Sequence, residues 1–371
     1  MEEKYYYWLH NVSGIGQVTF RKILKYATPK ELYENNLEKN FRFLSEKQIE
    51  SIQKSKNKWD LEKEWKLLEA KGIHLLCFGR NNYPEKLSEI CDPPPVIYHK
   101  GMKGLWDKPT VAVIGARACS NYGVLAAKEL GRELAAMGIV VVSGMARGID
   151  GICQWAAMEH KGESIGVLGC GVEVCYPPEN KELFERLKKQ GAVVSENLPF
   201  TAPNAGLFPL RNRIISGLAD IIVVVESREK SGTLITVDMA LEQGKEVYAM
   251  PGRMTDPISR GCNKLIRQGA GVILSPREFV EEICPMLKLK YQKNKKEPKI
   301  LLNQEEKMIV KILDVSLKTM EEIYQQARGY DAEITMNKIM EIVLGLQMRK
   351  IVKEKEGYYV LNEMIRSEAE T

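Results

Sequence analysis

Short apolar runs alternate with helical patterns through the middle of this chain. The runs are rich in β-branched residues and are apolar on both faces, as strands of a sheet covered on both sides must be. A helical pattern fills each gap, and several of these helices are followed by glycine, which closes a helix without steric cost. Repeated β–α units of this kind predict an α/β fold with a doubly wound parallel sheet across residues 109–287. The predicted strands are residues 111–115, 139–143, 165–169, 192–195, 221–226, 246–250 and 272–274.

The region before this sheet, residues 1–108, is mostly helical in pattern. Two helical stretches flank Gly14, Ile15 and Gly16. Such a turn resembles the hairpin of helix-hairpin-helix modules, in which backbone N–H groups face a DNA phosphate. A simple turn between two helices explains the same residues, and we favour it. The pattern therefore predicts a helical N-terminal domain.

The region after the sheet divides into a linker and a small third domain. Residues 288–302 are rich in lysine and lack apolar periodicity, which predicts a solvated linker. Residues 303–371 contain three helical patterns followed by two strand patterns, an order typical of a winged-helix-like domain. The third helical pattern has no run of Arg or Lys, so a protein contact or a packing role is at least as good an interpretation as binding of duplex DNA.

Composition and charge narrow the class of protein. The 371 residues are 44% hydrophobic and 28% charged, which excludes a wholly disordered chain. The net charge of +5 is compatible with a nucleic-acid partner but does not require one. No apolar run approaches the roughly 18 residues of a membrane helix, and the N-terminus lacks a secretory pattern, so a cytoplasmic protein without a membrane partner is expected. The eight cysteines form no C-x-x-C pair, and no metal site is predicted.

The first glycine-rich loop follows the first predicted strand. It begins at Gly115, carries Arg117 and leads into a helix. Backbone N–H groups at a helix start bind anions, and a guanidinium suits phosphate oxygens. The loop is not G-x-G-x-x-G, and Ser143 stands at the end of the second strand where a dinucleotide site has an acid, so no nucleotide cofactor is predicted. Pairing of Arg117 with an acid across the loop is an equally good interpretation.

Further glycines and cations follow other strands, at the edge where a doubly wound sheet binds ligands. Asp150 is interpreted first as a helix N-cap. Asn212 either caps a helix entry beside two solvated arginines, or Arg211 and Arg213 form a phosphate clamp around it, and Arg253 adds positive charge at the same edge. Several separate anion cradles favour a ligand with several phosphates, such as a strand of nucleic acid. Glu196 and Glu226 also follow strands, but His160 is the domain's single histidine and no nucleophile–base pair stands out, which favours binding over catalysis. The candidate residues of these loops are Ser143, Gly144, Arg147, Arg211, Asn212, Arg213, Ser231, Gly232, Thr233 and Lys264.

Seven segments of the middle domain together resemble one known family. In order and spacing they are similar to the DNA-processing protein A family, also called DprA or Smf. The usual loop of that family has Ser or Thr where this chain has Ala116, so a side-chain hydrogen bond to phosphate is expected to be missing while the backbone cradle remains. The segments are VAVIGAR (111–117), SGMARGID (143–150), VLGCGVEVCYPPENKELF (167–184), FPLRNRIISGLAD (208–220), SGTLIT (231–236), MPG (250–252) and GCNKLI (261–266).

The resemblance implies an extended Rossmann-like domain between a SAM-like or helix-hairpin-helix-like domain and a winged-helix-like domain. It implies that the protein binds single-stranded DNA, dimerises through the Rossmann-like domain, protects incoming DNA during natural transformation and loads the RecA recombinase onto it. No enzymatic activity, cofactor or metal is implied. The implied DNA contacts are Gly115, Arg117, Ser143, Gly144, Arg147, Arg211, Asn212 and Arg213, followed by Ser231, Gly232, Thr233 and Lys264.

A second hypothesis is an enzyme that acts on a nucleotide or a nucleotide-sugar phosphate. Phosphoribohydrolase-like proteins share this type of sheet. They carry a Pro-Gly-Gly-x-Gly-Thr motif with a glutamate, and this chain has no such string. The sequence therefore favours the DNA-binding hypothesis.

Overall fold

The structure is a computed structural model that describes residues 2–35, 41–291, 302–313, 317–349, 351–355 and 357–361. The chain forms two compact units, Met1–Gln292 and Lys293–Thr371. Most of the predicted linker, residues 288–302, lies outside the described residues. The two units are described separately.

The first unit is built on one large sheet. Within the described residues nine strands pair in the order β1-β2-β6-β5-β4-β3-β7-β8-β9, and β3 to β9 are parallel. The predicted α/β fold with a mostly parallel sheet is confirmed. The strands are β1 (His74–Cys77), β2 (Val96–Gly101), β3 (Thr110–Ile114), β4 (Val140–Ser143), β5 (Ser164–Val167), β6 (Ala192–Ser195), β7 (Ile221–Val224), β8 (Glu246–Ala249) and β9 (Gly271–Val272).

Helices cover both faces of this sheet. Side chains of a strand alternate between faces, so Val111 and Val113 of β3 lie in one core while Ala112 and Ile114 lie in another. The helices of this unit are α1 (Glu3–His10), α2 (Gln17–Leu24), α3 (Pro29–Glu34), α4 (Glu46–Lys58), α5 (Leu61–Ala70), α6 (Glu85–Ser88), α7 (Asn121–Ala136), α8 (Ile149–Glu159), α9 (Lys181–Gln190), α10 (Leu207–Leu218), α11 (Gly232–Glu242), α12 (Arg260–Arg267) and α13 (Pro276–Met286).

The predicted N-terminal domain, residues 1–108, is part of the same compact unit as the sheet. Strand β2 pairs antiparallel with β6, and β1 pairs antiparallel with β2, so this region extends the sheet. The buried side chains of Trp8 and Phe20 share a core with Tyr98 of β2 and Val193 of β6. Because that core spans the predicted boundary at residue 108, the structure joins the two regions there.

Helix α10 starts five residues earlier than its sequence pattern predicts. The pattern placed its start at Asn212, whereas the helix begins at Leu207. Pro209 is a helix breaker in an interior turn, but it lies in the first turn of α10, where the N–H that proline lacks has no partner in any case. Asn212 is therefore inside the helix, and the prediction that it caps the helix was wrong.

The second unit consists, in its described part, of three helices and a small antiparallel sheet with strand order β10-β12-β11. The third strand was not predicted from the sequence. The predicted turn includes Glu356, which lies outside the described residues. The elements are α14 (Gln304–Leu313), β10 (Lys318–Thr319), α15 (Met320–Ala327), α16 (Met336–Met348), β11 (Val352–Lys355) and β12 (Tyr358–Leu361).

A search of the described part of the chain found no helix that is long and apolar enough to cross a membrane.

Candidate functional site

The strand order reverses between β3 and β7. From β3 the chain proceeds through β4, β5 and β6 on one side, and it returns to place β7 on the other. The loops that follow β3 and β7 therefore diverge at this point, and the crevice between them is where open α/β sheets bind ligands. The two loops are in contact, because the hydroxyl of Thr233 donates a hydrogen bond to the carbonyl oxygen of Gly115 at 3.3 Å.

Arg117 lies at the exposed tip of the loop that follows β3. The structure shows no hydrogen bond or ion pair for its guanidinium with any described residue. The alternative interpretation, in which Arg117 pairs with an acid across the loop, is therefore not what the structure shows. The guanidinium is available to an external anion.

The N-terminus of α7, predicted to be a phosphate cradle, is already occupied by a carboxylate of the chain. The backbone N–H of Ser120 donates to Oε2 of Glu226 at 2.9 Å, and the Ser120 hydroxyl donates to its Oε1. The same hydroxyl caps the helix by accepting from the N–H of Gly123 at 3.1 Å. The prediction that this helix start is open to a ligand was wrong, because Glu226 is buried against it.

The loop that follows β4 packs against the loop that follows β3. Met145 has a left-handed backbone (φ 53°), which is uncommon for a residue with a side chain. Its N–H donates to Gln154 at 3.1 Å and its carbonyl oxygen accepts from Asn180 at 2.9 Å, so two side chains hold this conformation. Gly148 also has positive φ, and a Cβ there would clash with the carbonyl oxygen of Ala116. Glycine is therefore needed at residue 148 for loop packing.

Arg147 is the exposed cation of this second loop. Its guanidinium forms an ion pair with Glu179 at 2.5 Å, and the two side chains are 60% and 58% exposed. Ion pairs with this degree of exposure are weak. Arg147 can therefore exchange Glu179 for a phosphate group.

Arg211 is buried, contrary to the prediction that it contacts a ligand. Its guanidinium donates to the carbonyl oxygen of Gly144 at 2.9 Å and to that of Val167. Asp150 lies beside it and accepts from the N–H of Gly144 at 3.1 Å, so the predicted N-cap role of Asp150 was also wrong. Burial lowers the pKa of Arg211 to about 10, and burial raises the pKa of Asp150. Arg211 thus stabilises the conformation of the loop that contains Gly144.

Arg213 and Ser143 are buried as well. Arg213 makes a two-pronged ion pair with Glu196, at 2.6 and 2.8 Å, and a third contact with Asp92 at 2.8 Å. The hydroxyl of Ser143 donates to the carbonyl oxygen of Val113 at 2.5 Å. Both side chains are satisfied within the protein, which corrects their prediction as direct phosphate contacts.

The remaining predicted residues lie on the α11 and α12 side of the crevice. Ser231 caps α11 by accepting from the N–H of Thr233 at 3.2 Å, and the neighbouring Gly232 is exposed. Lys264 of α12 lies 3.5 Å from Glu229, and both side chains are partly exposed. Ser231 thus acts as a helix cap, and Gly232 and Lys264 are accessible.

The loops that follow β7 and β8 carry exposed cations, of which the sequence indicated Arg253, beside Gly252, but not the others. These loops meet where the N–H of Gly261 donates to the carbonyl oxygen of Ser227 at 2.8 Å. The cations that the structure exposes on these loops and at the start of α12, with no ion pair to another described residue, are Arg228, Lys230, Arg253 and Arg260.

An aromatic pair lies beyond the end of β5. The rings of Tyr176 and Phe208 have centroids 5.2 Å apart at an angle of 31°. Tyr176 is 37% exposed. Exposed aromatic faces beside cations are the usual platform for unpaired bases. Sequence analysis missed this pair because its members are 32 residues apart, far beyond any local pattern.

The fold and this crevice define a class: a doubly wound α/β protein whose strand-end loops carry exposed cations. Residues 74–284 match the family model described as DNA recombination-mediator protein A, and this chain belongs to that family. It is 42% identical over 213 residues to the DNA processing protein DprA of Bacillus subtilis, which covers 57% of this chain and 72% of the relative. Protein Smf of Synechocystis is 32% identical over 289 residues, 75% of this chain and 72% of that protein.

Two solved structures support the same assignment. The X-ray structure of DNA processing protein A from Streptococcus pneumoniae matches with a TM-score of 0.64 at 31% identity, covering 78% of this chain and 99% of that one. A structure of DNA processing protein A from Helicobacter pylori, which reports a single-stranded DNA binding mode for that protein, matches with a TM-score of 0.53 at 29% identity and covers 58% and 96% of the two chains. The sheet is therefore Rossmann-like, as in these relatives.

Proposed function

We propose that this protein binds single-stranded DNA along the strand-end loops at the crevice between β3 and β7. The observation that carries the proposal is the row of exposed cations on four separate loops, with Arg117 and Arg253 free of any intrachain partner among the described residues. A mononucleotide brings a single phosphate group to these loops, whereas a DNA backbone offers a phosphate at every step and so matches cations on several loops. The aromatic pair Tyr176–Phe208 provides a stacking surface for a base.

The predicted contact residues divide into two groups under this proposal. Arg117, Arg147, Gly232 and Lys264 are accessible and contact the DNA directly, with Thr233 and Ser231 shaping the start of α11. The buried side chains form the framework that holds the loops in place. The framework side chains are those of Ser143, Arg211 and Arg213. Gly115, Gly144 and the partly buried Asn212 lie beside them and complete this second group.

The wider role follows from the family. We propose that the protein acts in the cytoplasm, protects incoming DNA during natural transformation and loads RecA onto it. A binding protein is favoured over a phosphoribohydrolase-like enzyme because the acids that follow strands are committed to structural contacts. Glu196 holds Arg213, and Glu226 holds Ser120.

A competition titration tests DNA binding most simply. We expect a labelled oligo(dT) to bind the protein, unlabelled oligo(dT) to displace it, and duplex DNA of equal length to displace it at least tenfold less well. The double variant Arg117→Ala/Arg253→Ala should weaken oligo(dT) binding by about 2 kcal/mol or more, since each charged contact contributes about 1–2 kcal/mol. The matched control is Lys47→Ala/Lys54→Ala on α4, which removes the same charge from another surface. Equal affinities for the two DNA forms, or equal losses in the two double variants, would overturn the proposal.

Dimerisation through the Rossmann-like sheet is also proposed. Strand β9 is an edge strand of two residues, of which Val272 is 40% exposed, and Leu274 just after the strand is 79% exposed. An apolar sheet edge of this kind is a ready site for pairing with a second copy. Sedimentation analysis should show a dimer for the native protein and a monomer for Leu274→Arg, whereas Leu67→Arg on α5 remains dimeric. A native monomer, or a dimer that survives Leu274→Arg, would contradict this interface.

A further inference from the structure

Glu226 is a buried acid without a basic partner among the described residues. It follows the end of β7 and is 2% exposed. Its two carboxylate oxygens accept from the N–H and the hydroxyl of Ser120, the N-cap of α7. A buried carboxylate needs compensation for the loss of water. Here the positive end of the helix dipole and the two hydrogen bonds provide it.

The chain makes room for this carboxylate at residue 123. Gly123 lies in the first turn of α7, and a Cβ there would clash with Oε2 and with the carboxyl carbon of Glu226. Gly123 has no positive φ that would otherwise call for glycine. The contact with Glu226 is therefore the reason that the structure gives for a glycine inside this helix.

The carboxylate occupies the position that a ligand phosphate takes in related folds. In doubly wound sheets the first strand leads through a glycine-rich loop into a helix, and the phosphate of a bound nucleotide rests on the N-terminus of that helix. In this chain β3, the Gly115 loop and α7 form that unit, and Glu226 already supplies the anion. The seated carboxylate shows that the position binds an anion.

We propose that Glu226 is a specificity-determining residue that closes the nucleotide-phosphate position of the sheet against free nucleotides. Its carboxylate excludes a phosphate by occupying the space and by repelling the charge. A mononucleotide then loses its one anchoring point, whereas a DNA strand still binds the outer cations. The identity of the DNA ligand rests on the proposed function, but the exclusion of free nucleotides does not.

Anion rescue of a variant tests this directly. Glu226→Ala empties the position, so the variant should melt at a lower temperature than the native protein in chloride. Formate and inorganic phosphate, at matched ionic strength, should then raise its melting temperature by about 3 °C more than they raise that of the native protein, because an anion that binds only the folded state stabilises it. Glu226→Gln keeps the space filled and should show no excess rise.

The matched control is Glu229→Ala, which removes an exposed acid three residues further along the same loop. It too should show no excess rise. If Glu226→Ala does not fold in chloride, folding that returns in formate or phosphate counts as rescue. A variant that no anion rescues, or a rise equal to that of Glu229→Ala, would overturn the proposal.

A measurement on the native protein gives an independent check. Calorimetric titration with dTMP should show at least tenfold weaker binding to the native protein than to Glu226→Ala, and equal affinities would overturn the proposal. Native protein that fails to bind oligo(dT) would remove the proposed function but would leave the anion-rescue result standing, so the two failures are distinguishable.

Discussion

Arg147 and Arg117 are both exposed at the crevice, but they differ in whether the guanidinium has an ion-pair partner in the described part of the chain. Arg147 is paired with Glu179, whereas the structure records no intrachain partner for Arg117 in the described part of the chain. Under the proposed function, Glu179 therefore competes with a DNA phosphate for Arg147 and also repels the DNA. Removing its charge should favour binding.

Glu179→Gln is accordingly expected to increase the affinity for oligo(dT) by about two- to fivefold at low salt, since exposed pairs contribute roughly 0.2–1 kcal/mol. The gain should shrink as salt is added, because exposed charges are screened. Fluorescence anisotropy with labelled oligo(dT) measures both effects. Glu185→Gln is the control, because Glu185 pairs with Lys188 on α9 and its removal changes the net charge equally. An equal gain in both variants would show that net charge alone, and not release of Arg147, is responsible.

The buried positions of Arg211 and Arg213 could not be predicted from residue types alone. The sequence correctly indicates guanidinium groups near glycine loops, but it cannot indicate which side chains are buried. That outcome depends on the carbonyl oxygens of Gly144 and Val167 and on Glu196, which come from other elements. Arg253 was indicated by its place beside Gly252, whereas Arg228 stands outside every motif and its exposure is seen only in the structure.

The strands of the parallel sheet were well predicted because each is short and apolar on both faces. All seven predicted runs contain a strand, with ends that differ by at most a few residues. The start of α10 was missed because Pro209 indicates a break unless one knows that it lies in a first turn. Helix ends that a distant side chain stabilises, such as Glu226 at α7, cannot be predicted from local patterns.

Strand β2 carries a buried histidine that makes the first unit sensitive to acid. Burial lowers the pKa of His99 to about 3, with the nearby His74 and Lys103 adding to the effect. The unfolded chain, in which a histidine has a pKa of about 6.5, therefore binds a proton that the folded protein does not. The free energy of unfolding should fall as pH falls below about 6.5, and this one side chain should account for about 2 kcal/mol between pH 6.5 and 5.

Urea titrations of the native protein and of His99→Phe across this pH range measure the effect. On acidification the free energy of unfolding should fall less in the variant than in the native protein. The reason is that unfolding of the variant takes up about one proton fewer. Trp106→Phe is the control, because it disturbs the ring that packs on His99, at 5.1 Å, but keeps the histidine. It should lower stability without flattening the pH dependence. A pH dependence that is unchanged in His99→Phe would contradict the assignment.

The complete chain consists of a large unit that carries the proposed DNA site and a small second unit. The sequence predicted a separate helical domain in residues 1–108 because its helices carry their own apolar faces. It did not reveal that these faces share a core with the sheet, since such contacts link residues far apart in the chain. The net charge of +5 is a poor guide to the proposed function, because the proposed DNA site uses only the cations on the loops of one sheet edge.

The salt dependence of oligo(dT) binding, compared between the native protein and Arg117→Ala, tests the central claim most directly. Each phosphate contact releases counterions, so the logarithm of the binding constant falls with the logarithm of the salt concentration by about 0.7 per contact for a single strand. We predict that Arg117→Ala binds oligo(dT) about five- to tenfold more weakly at low salt and that its slope is shallower by about 0.7. The control Lys54→Ala on α4 should match the native protein in its affinity at low salt and in its slope. A slope for Arg117→Ala equal to that of the native protein would show that Arg117 does not contact the DNA backbone and would contradict the account.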